Sequence, residues 1–217
     1  MSVKAREELA PTEAFTLRRQ IMAWPGNAAG RRPMTTVTRR TLGLAVALFA
    51  IASPIAVVEA DDRPTETFTA PTGDYVIEFP GGQPDEVGND VAGVPGDVAF
   101  DLFLQVQGEI ALLTARTEIP GGLPPVDQAI SLALEGMIGV GGQITEQVPV
   151  VFRGASGADI EGTLTTSGVQ SFFLGRILIR GSVLYMVLVN GTAPVSFKDP
   201  TAASFFGSFE FVKGVYR

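Results

Sequence analysis

The chain has no cysteine and no histidine. Those two absences exclude a great deal of chemistry. No Ser-His-Asp triad, no Cys nucleophile and no His or Cys metal site can be assembled from the remaining side chains. Disulfides are excluded, so cysteine usage says nothing about redox compartment, and a lipid-modified cysteine anchor is excluded as well. Charge is modest, at 18% of residues, and the chain holds a single Trp and three Tyr. Against these shortages stand 46% hydrophobic residues, 14 Phe and 25 Gly in 217 residues. That is enough apolar material for a real core, and the composition is not that of a disordered chain.

Charge is split along the chain. Residues 1–60 carry eight Lys or Arg against four Asp or Glu, a balance of +4, and residues 61–217 carry eight against nineteen, a balance of −11. An acidic body disfavours nucleic acid and anionic membrane surfaces, so neither is expected as a partner.

Residues 1–33 are polar, basic and without sustained periodicity, which reads as an unstructured extension or a misassigned start with Met34 as initiator. From Met34 the pattern is that of an export leader: Arg39-Arg40, an apolar run over Leu42–Ile51, Pro54 as breaker, and Val58-Glu59-Ala60 as a small-residue cut site. Residues 34–60 are therefore expected to be a signal peptide cleaved after Ala60. Thr38–Leu42 also fits a twin-arginine signal. The alternative is a retained anchor through residues 42–58, which reach only the lower limit of about 17–25 residues for a spanning helix. Residues 61–67 read as a linker and 68–217 as the folded domain.

Within the domain, Tyr75, Ile77 and Phe79 alternate as a strand ending at Pro80, and the Gly- and Pro-rich stretch 81–96 reads as a loop. Strands follow over 98–106 and 110–119, the second with Leu113, Ala115 and Ile119 inward and Thr114, Arg116 and Glu118 in water. Pro124-Pro125 opens a helix with Val126, Ile130, Ala133, Leu134 and Met137 on one stripe. A hairpin is expected from 144–153 and 158–165 over Gly154–Gly157. Val169–Arg180 and Val183–Val189, joined by Gly181-Ser182, make the strongest hairpin signal, because Gly supplies the positive φ of a two-residue loop. Val183–Val189 is apolar on both alternating faces, which places it mid-sheet. Asp199-Pro200 then reads as N-cap and first residue of a closing helix carrying Phe205, Phe206 and Phe209. The fold class is α+β: a single antiparallel sheet covered by helices.

Few residues offer chemistry. Asp159 and Glu161, i and i+2 on a strand, share a face about 7 Å apart, a spacing at which paired carboxylates can act as acid and base. Arg176 and Arg180 project from one face and suit an anionic ligand, or ion pairs with Asp159 or Glu161 on a neighbouring strand. No metal-ligand spacing and no phosphate-binding glycine pattern is present, so no cofactor and no metal are expected.

The strand end Phe79-Pro80, the run Leu184-Tyr185-Met186-Val187-Leu188 and the tail Phe205-Phe206-Gly207-Ser208-Phe209 resemble the PsbP-like family, in which a Tyr-bearing strand precedes a helix ending in a Phe-x-x-Ser-Phe type of tail. The resemblance spans residues 68–217 and implies an α/β/α sandwich. Proteins of that family include photosystem accessory proteins, exported bacterial proteins of unknown role and a GTPase-binding transport factor. They share no catalytic set, so no functional residue carries over.

Three functions compete. The first is an exported (periplasmic or extracellular), non-enzymatic domain that binds a protein or supports an envelope assembly. The second is a small-ligand carrier with its pocket between the sheet and the helix starting at Val126. The third is a His- and Cys-independent hydrolase or lyase built on Asp159, Glu161, Arg176 and Tyr185. A concave site where those side chains converge would favour the third, a cavity of roughly 300 Å³ the second, and an exposed apolar patch or flat sheet face the first.

Overall fold

A computed structural model describes residues 64–87, 100–119, 121–139, 141–166 and 168–212. The extension, the signal or anchor segment and the cut after Ala60 lie outside the described residues. In chain order the elements are β1 (Glu66–Thr69), β2 (Tyr75–Phe79), β3 (Asp85–Glu86), β4 (Phe100–Gln107), β5 (Ile110–Glu118), α1 (Val126–Ile138), β6 (Gly142–Phe152), β7 (Ala155–Thr166), β8 (Val169–Arg180), β9 (Val183–Gly191), α2 (Pro200–Ser208) and β10 (Glu210–Phe211).

The expected single sheet is two. Seven strands in the order β3-β4-β5-β9-β8-β7-β6 form the large sheet, and β1-β2-β10 form a second. All the pairings are antiparallel. The small sheet escaped the sequence because β1 buries only Phe68 and β10 is two residues long. β1 also begins two residues inside the stretch read as linker, and β3 lies inside the stretch read as loop.

β9 is the central strand, and all nine of its residues are buried. Leu184, Met186 and Leu188 face one core with α1, and Val183, Tyr185, Val187 and Val189 face another with the small sheet and α2. Two covered faces explain its unbroken apolar run. Gly181 has φ +64 and Ser182 does not share the positive φ, the II′ arrangement that matches strand twist.

α1 buries Ile130, Ala133, Leu134 and Met137 and leaves Asp127, Ser131 and Glu135 exposed, as the spacing predicts, while Ala129 is buried as well and Val126 is only half-buried. The opposite cover mixes both kinds of element. Phe205 packs on Phe79 at 5.1 Å between centroids, and Phe209 stacks on Tyr75 at 5.2 Å, so the Phe stripe joins α2 to the small sheet. This second cover changes the reading of β5. Thr114 is buried and Arg116 is half-buried, because the face expected in water lies under β2 and β10, and only Glu118 of that face is exposed as expected.

Two local expectations shift. The β6–β7 turn is Arg153-Gly154, with φ +50 and +81, rather than Gly154–Gly157. Gly157 belongs to β7, where a Cβ would overlap the Ile177 carbonyl oxygen of β8. It is a close-approach glycine, not a turn glycine. At α2, Asp199 is the N-cap residue, but its carboxylate accepts the Ser196 N–H at 2.6 Å and makes no cap bond to the helix.

Candidate functional site

β7 and β8 lie side by side with Asp159 directly opposite Arg176. The Arg176 guanidinium donates twice to Asp159, Nε to Oδ1 at 2.6 Å and Nη2 to Oδ2 at 2.8 Å. Such a bidentate pair uses both carboxylate oxygens and the fork of the arginine. Phe152 lies 4.4 Å from the guanidinium carbon, with Phe206 at 5.7 Å and Phe197 at 5.9 Å, so aromatic faces close around the cation. The cross-strand ion pair read from the sequence is therefore formed.

The other candidates do not gather there. Glu161 faces Glu146 on β6 and Leu174 on β8. Arg180 is about 13 Å further along β8 by strand rise, with its guanidinium 4.7 Å from the Phe211 ring. Tyr185 is fully buried and donates to Asp74. The four residues of the hydrolase reading thus lie in three places: a satisfied pair, a lone carboxylate on the sheet face, and a phenol inside the core.

Tyr185 leads to a polar knot that the sequence did not reveal. Asp74 follows the β1–β2 turn and is 1% exposed. Its Oδ2 accepts from Arg116 Nε at 2.6 Å and from Tyr185 OH at 2.8 Å, and its Oδ1 accepts from Thr72 Oγ1 at 2.6 Å. Arg116 also reaches Glu118 at 3.2 Å and Asp101 at 3.7 Å. Burial alone would lower the Arg116 pKa, but the Asp74 hydrogen bond and charge outweigh it, so the guanidinium is held above its ordinary value. Beside it, Tyr75 donates to Thr114 Oγ1 at 3.1 Å, and burial pushes its phenol far above the usual range. The knot bridges β2 of the small sheet to β5 and β9 of the large one. One signal was available: Arg116 follows Ala111-Leu112-Leu113-Thr114-Ala115 on a strand with little other charge, and a charge there calls for a buried partner.

The cleft nearest to the ligand-carrier expectation is an open groove of 350 Å³ where α1 begins beside β6, lined by Val126, Asp127, Pro149, Val150, Val151 and Ser156 with Gly157. Its volume meets the expected minimum, but its place is the margin, since the inner stripe of α1 packs on the sheet. Its Val151 is 76% exposed. Val148, on the other face of β6, is 48% exposed. Among the described residues no group of three or more acidic side chains is arranged to hold a metal ion.

No family model matches the chain, and no curated protein matches it. Among solved structures it is similar to a cyanobacterial PsbP from Synechocystis, with 15% identity, TM-score 0.48, 75% of this chain and 99% of that one. It is similar to a Pseudomonas aeruginosa protein of unknown function described as a putative regulator, with 10% identity, TM-score 0.37, and coverage of 59% and 83%. It is also similar to LpqN of Mycobacterium tuberculosis, described as involved in cell envelope biogenesis, with 13% identity, TM-score 0.34, and coverage of 55% and 87%. Likenesses at this level touch the PsbP-like expectation without establishing membership, and they fix no activity.

Proposed function

We propose that this chain is an exported, non-enzymatic accessory domain that binds a protein partner through the free side of β6. The observation that carries the reading is the state of that strand. It is eleven residues long, lies at the sheet margin, and exposes valines on both faces, Val148 at 48% and Val151 at 76%. Apolar side chains left in water on an edge strand, beside an open groove, are what a partner surface covers. The leader pattern of residues 34–60 supports export. Among the described residues no helix is long and apolar enough to cross a membrane.

A photo-crosslinking residue at 148 or 151 tests the reading in cells. The expected result is a discrete adduct in the envelope fraction from these positions and none from exposed Glu135 on α1. Equal labelling from all three positions, or none from β6, overturns it. Mass spectrometry of the mature N-terminus tests export: an end at Asp61 is expected, and an intact Met1 or Met34 end counts against a cleaved signal.

The groove favours one second reading, a carrier for a small apolar ligand gripped by Val126, Pro149 and Val151. Val126→Asp would abolish uptake of such a ligand while leaving a β6 adduct intact.

A further inference from the structure

The cover over the second face of the large sheet reaches Val150 and Phe152 of β6 but leaves the start of that strand bare. Phe197 and Phe206 close over Arg176, whereas Glu146 and Val148, on the same face of β6, remain exposed. Glu146 stands directly opposite Glu161 of β7. Directly opposed residues bring their Cβ atoms within about 4.5–5.5 Å, and like charges there repel. Two residues away, the same face holds the contrasting case: Asp159 is answered by Arg176. Glu146 and Glu161 form no ion pair among the described residues, and Arg176, the cation across from the neighbouring Asp159, is engaged by Asp159. A region with a balance of −11 has no cation surplus to spare.

We infer that Glu146, Glu161 and Val148 form the docking face for a basic partner: a protein segment that presents a Lys or Arg beside an aliphatic side chain. The inference rests on the protein-binding reading and names the partner's chemistry. A cation between the two carboxylates turns one repulsion into two ion pairs, and the aliphatic neighbour covers Val148. The segment lies on the face and does not extend the sheet, because Pro149 carries no N–H and interrupts the donor row of the β6 edge.

The test uses the full chain and a short fluorescein-labelled peptide of alternating Lys and Val, read by anisotropy at several salt concentrations. Glu146→Gln with Glu161→Gln should weaken binding about tenfold, the combined worth of two exposed ion pairs. Glu86→Gln with Glu135→Gln, two exposed carboxylates elsewhere, changes net charge equally and should weaken it less than about twofold. Equal losses in the two variants, or no saturable binding by the unaltered chain, overturn the inference. Urea midpoints give a readout without peptide. Either single Glu→Gln change should raise the midpoint by relieving repulsion, and a lowered midpoint overturns the inference, because the carboxylates would then already be neutralised. A crosslinked partner retained by the Glu146→Gln, Glu161→Gln variant sinks this face and leaves the protein-binding reading standing.

Discussion

Asp74→Ala is the sharpest perturbation of this fold. The side chain removed is 2% exposed and accepts from Arg116, Tyr185 and Thr72. Breaking a fully buried ion pair costs about 3–5 kcal/mol, because the remaining charge is left without compensation. Arg116 is 13% exposed and keeps Glu118 at 3.2 Å and Asp101 at 3.7 Å, so its share falls to about 2 kcal/mol. Tyr185 is 0% exposed, and losing its charge-assisted bond to Asp74 costs a further increment of about 1–2 kcal/mol. The expected total is about 3–4 kcal/mol, read as a lower urea midpoint at unchanged slope. Tyr185→Phe gives the stricter check. In the native background it removes one charge-assisted bond and should cost about 1–2 kcal/mol. In the Asp74→Ala background that bond is already gone, and the same change should cost clearly less. A double-mutant cycle measures that difference. A loss below about 1 kcal/mol for Asp74→Ala, or the same cost for Tyr185→Phe in both backgrounds, would refute the view that this knot ties the two sheets.

Three other outcomes follow from the packing. Burial raises the Tyr75 phenol above its unfolded value, so above about pH 10 the unfolded chain loses a proton that the native chain keeps. That contribution is fully present below pH 10 and is lost as pH rises toward the native pKa, so stability should fall in alkali, and Tyr75→Phe should flatten the fall in a pH series of urea midpoints. Gly157→Ala drives a Cβ into the Ile177 carbonyl oxygen of the neighbouring strand, which no rotamer relieves. A loss of about 3 kcal/mol or more is expected, and a wild-type midpoint would contradict the β7–β8 approach. Pro149→Thr restores an N–H to the β6 edge and should produce concentration-dependent self-association by sedimentation velocity; a strictly monomeric variant would show that Pro149 does not guard that edge.

Much of the large sheet was legible because its signals are local. Gly181-Ser182 between two β-branched runs fixes a hairpin, and the two-sided apolar pattern of Val183–Val189 fixes a central strand. The stripe from Val126 to Met137 fixes a helix, and Asp159 with Arg176 could be paired once β7 and β8 were taken as neighbours. Gly157 was misread because a turn glycine and a close-approach glycine look alike until the neighbouring strand is in place.

Sequence alone determined that histidine and cysteine chemistry is absent, that the body is acidic, and that Val169–Val189 folds back on itself in the middle of a covered sheet. These follow from composition and from contacts a few residues apart. Tertiary structure decided the rest: β1, β2 and β10 form a second layer, Arg116 lies beneath it on Asp74, and Glu146 faces Glu161. Each depends on residues far apart in the chain meeting across strands, and no local periodicity records which strand lies next to which.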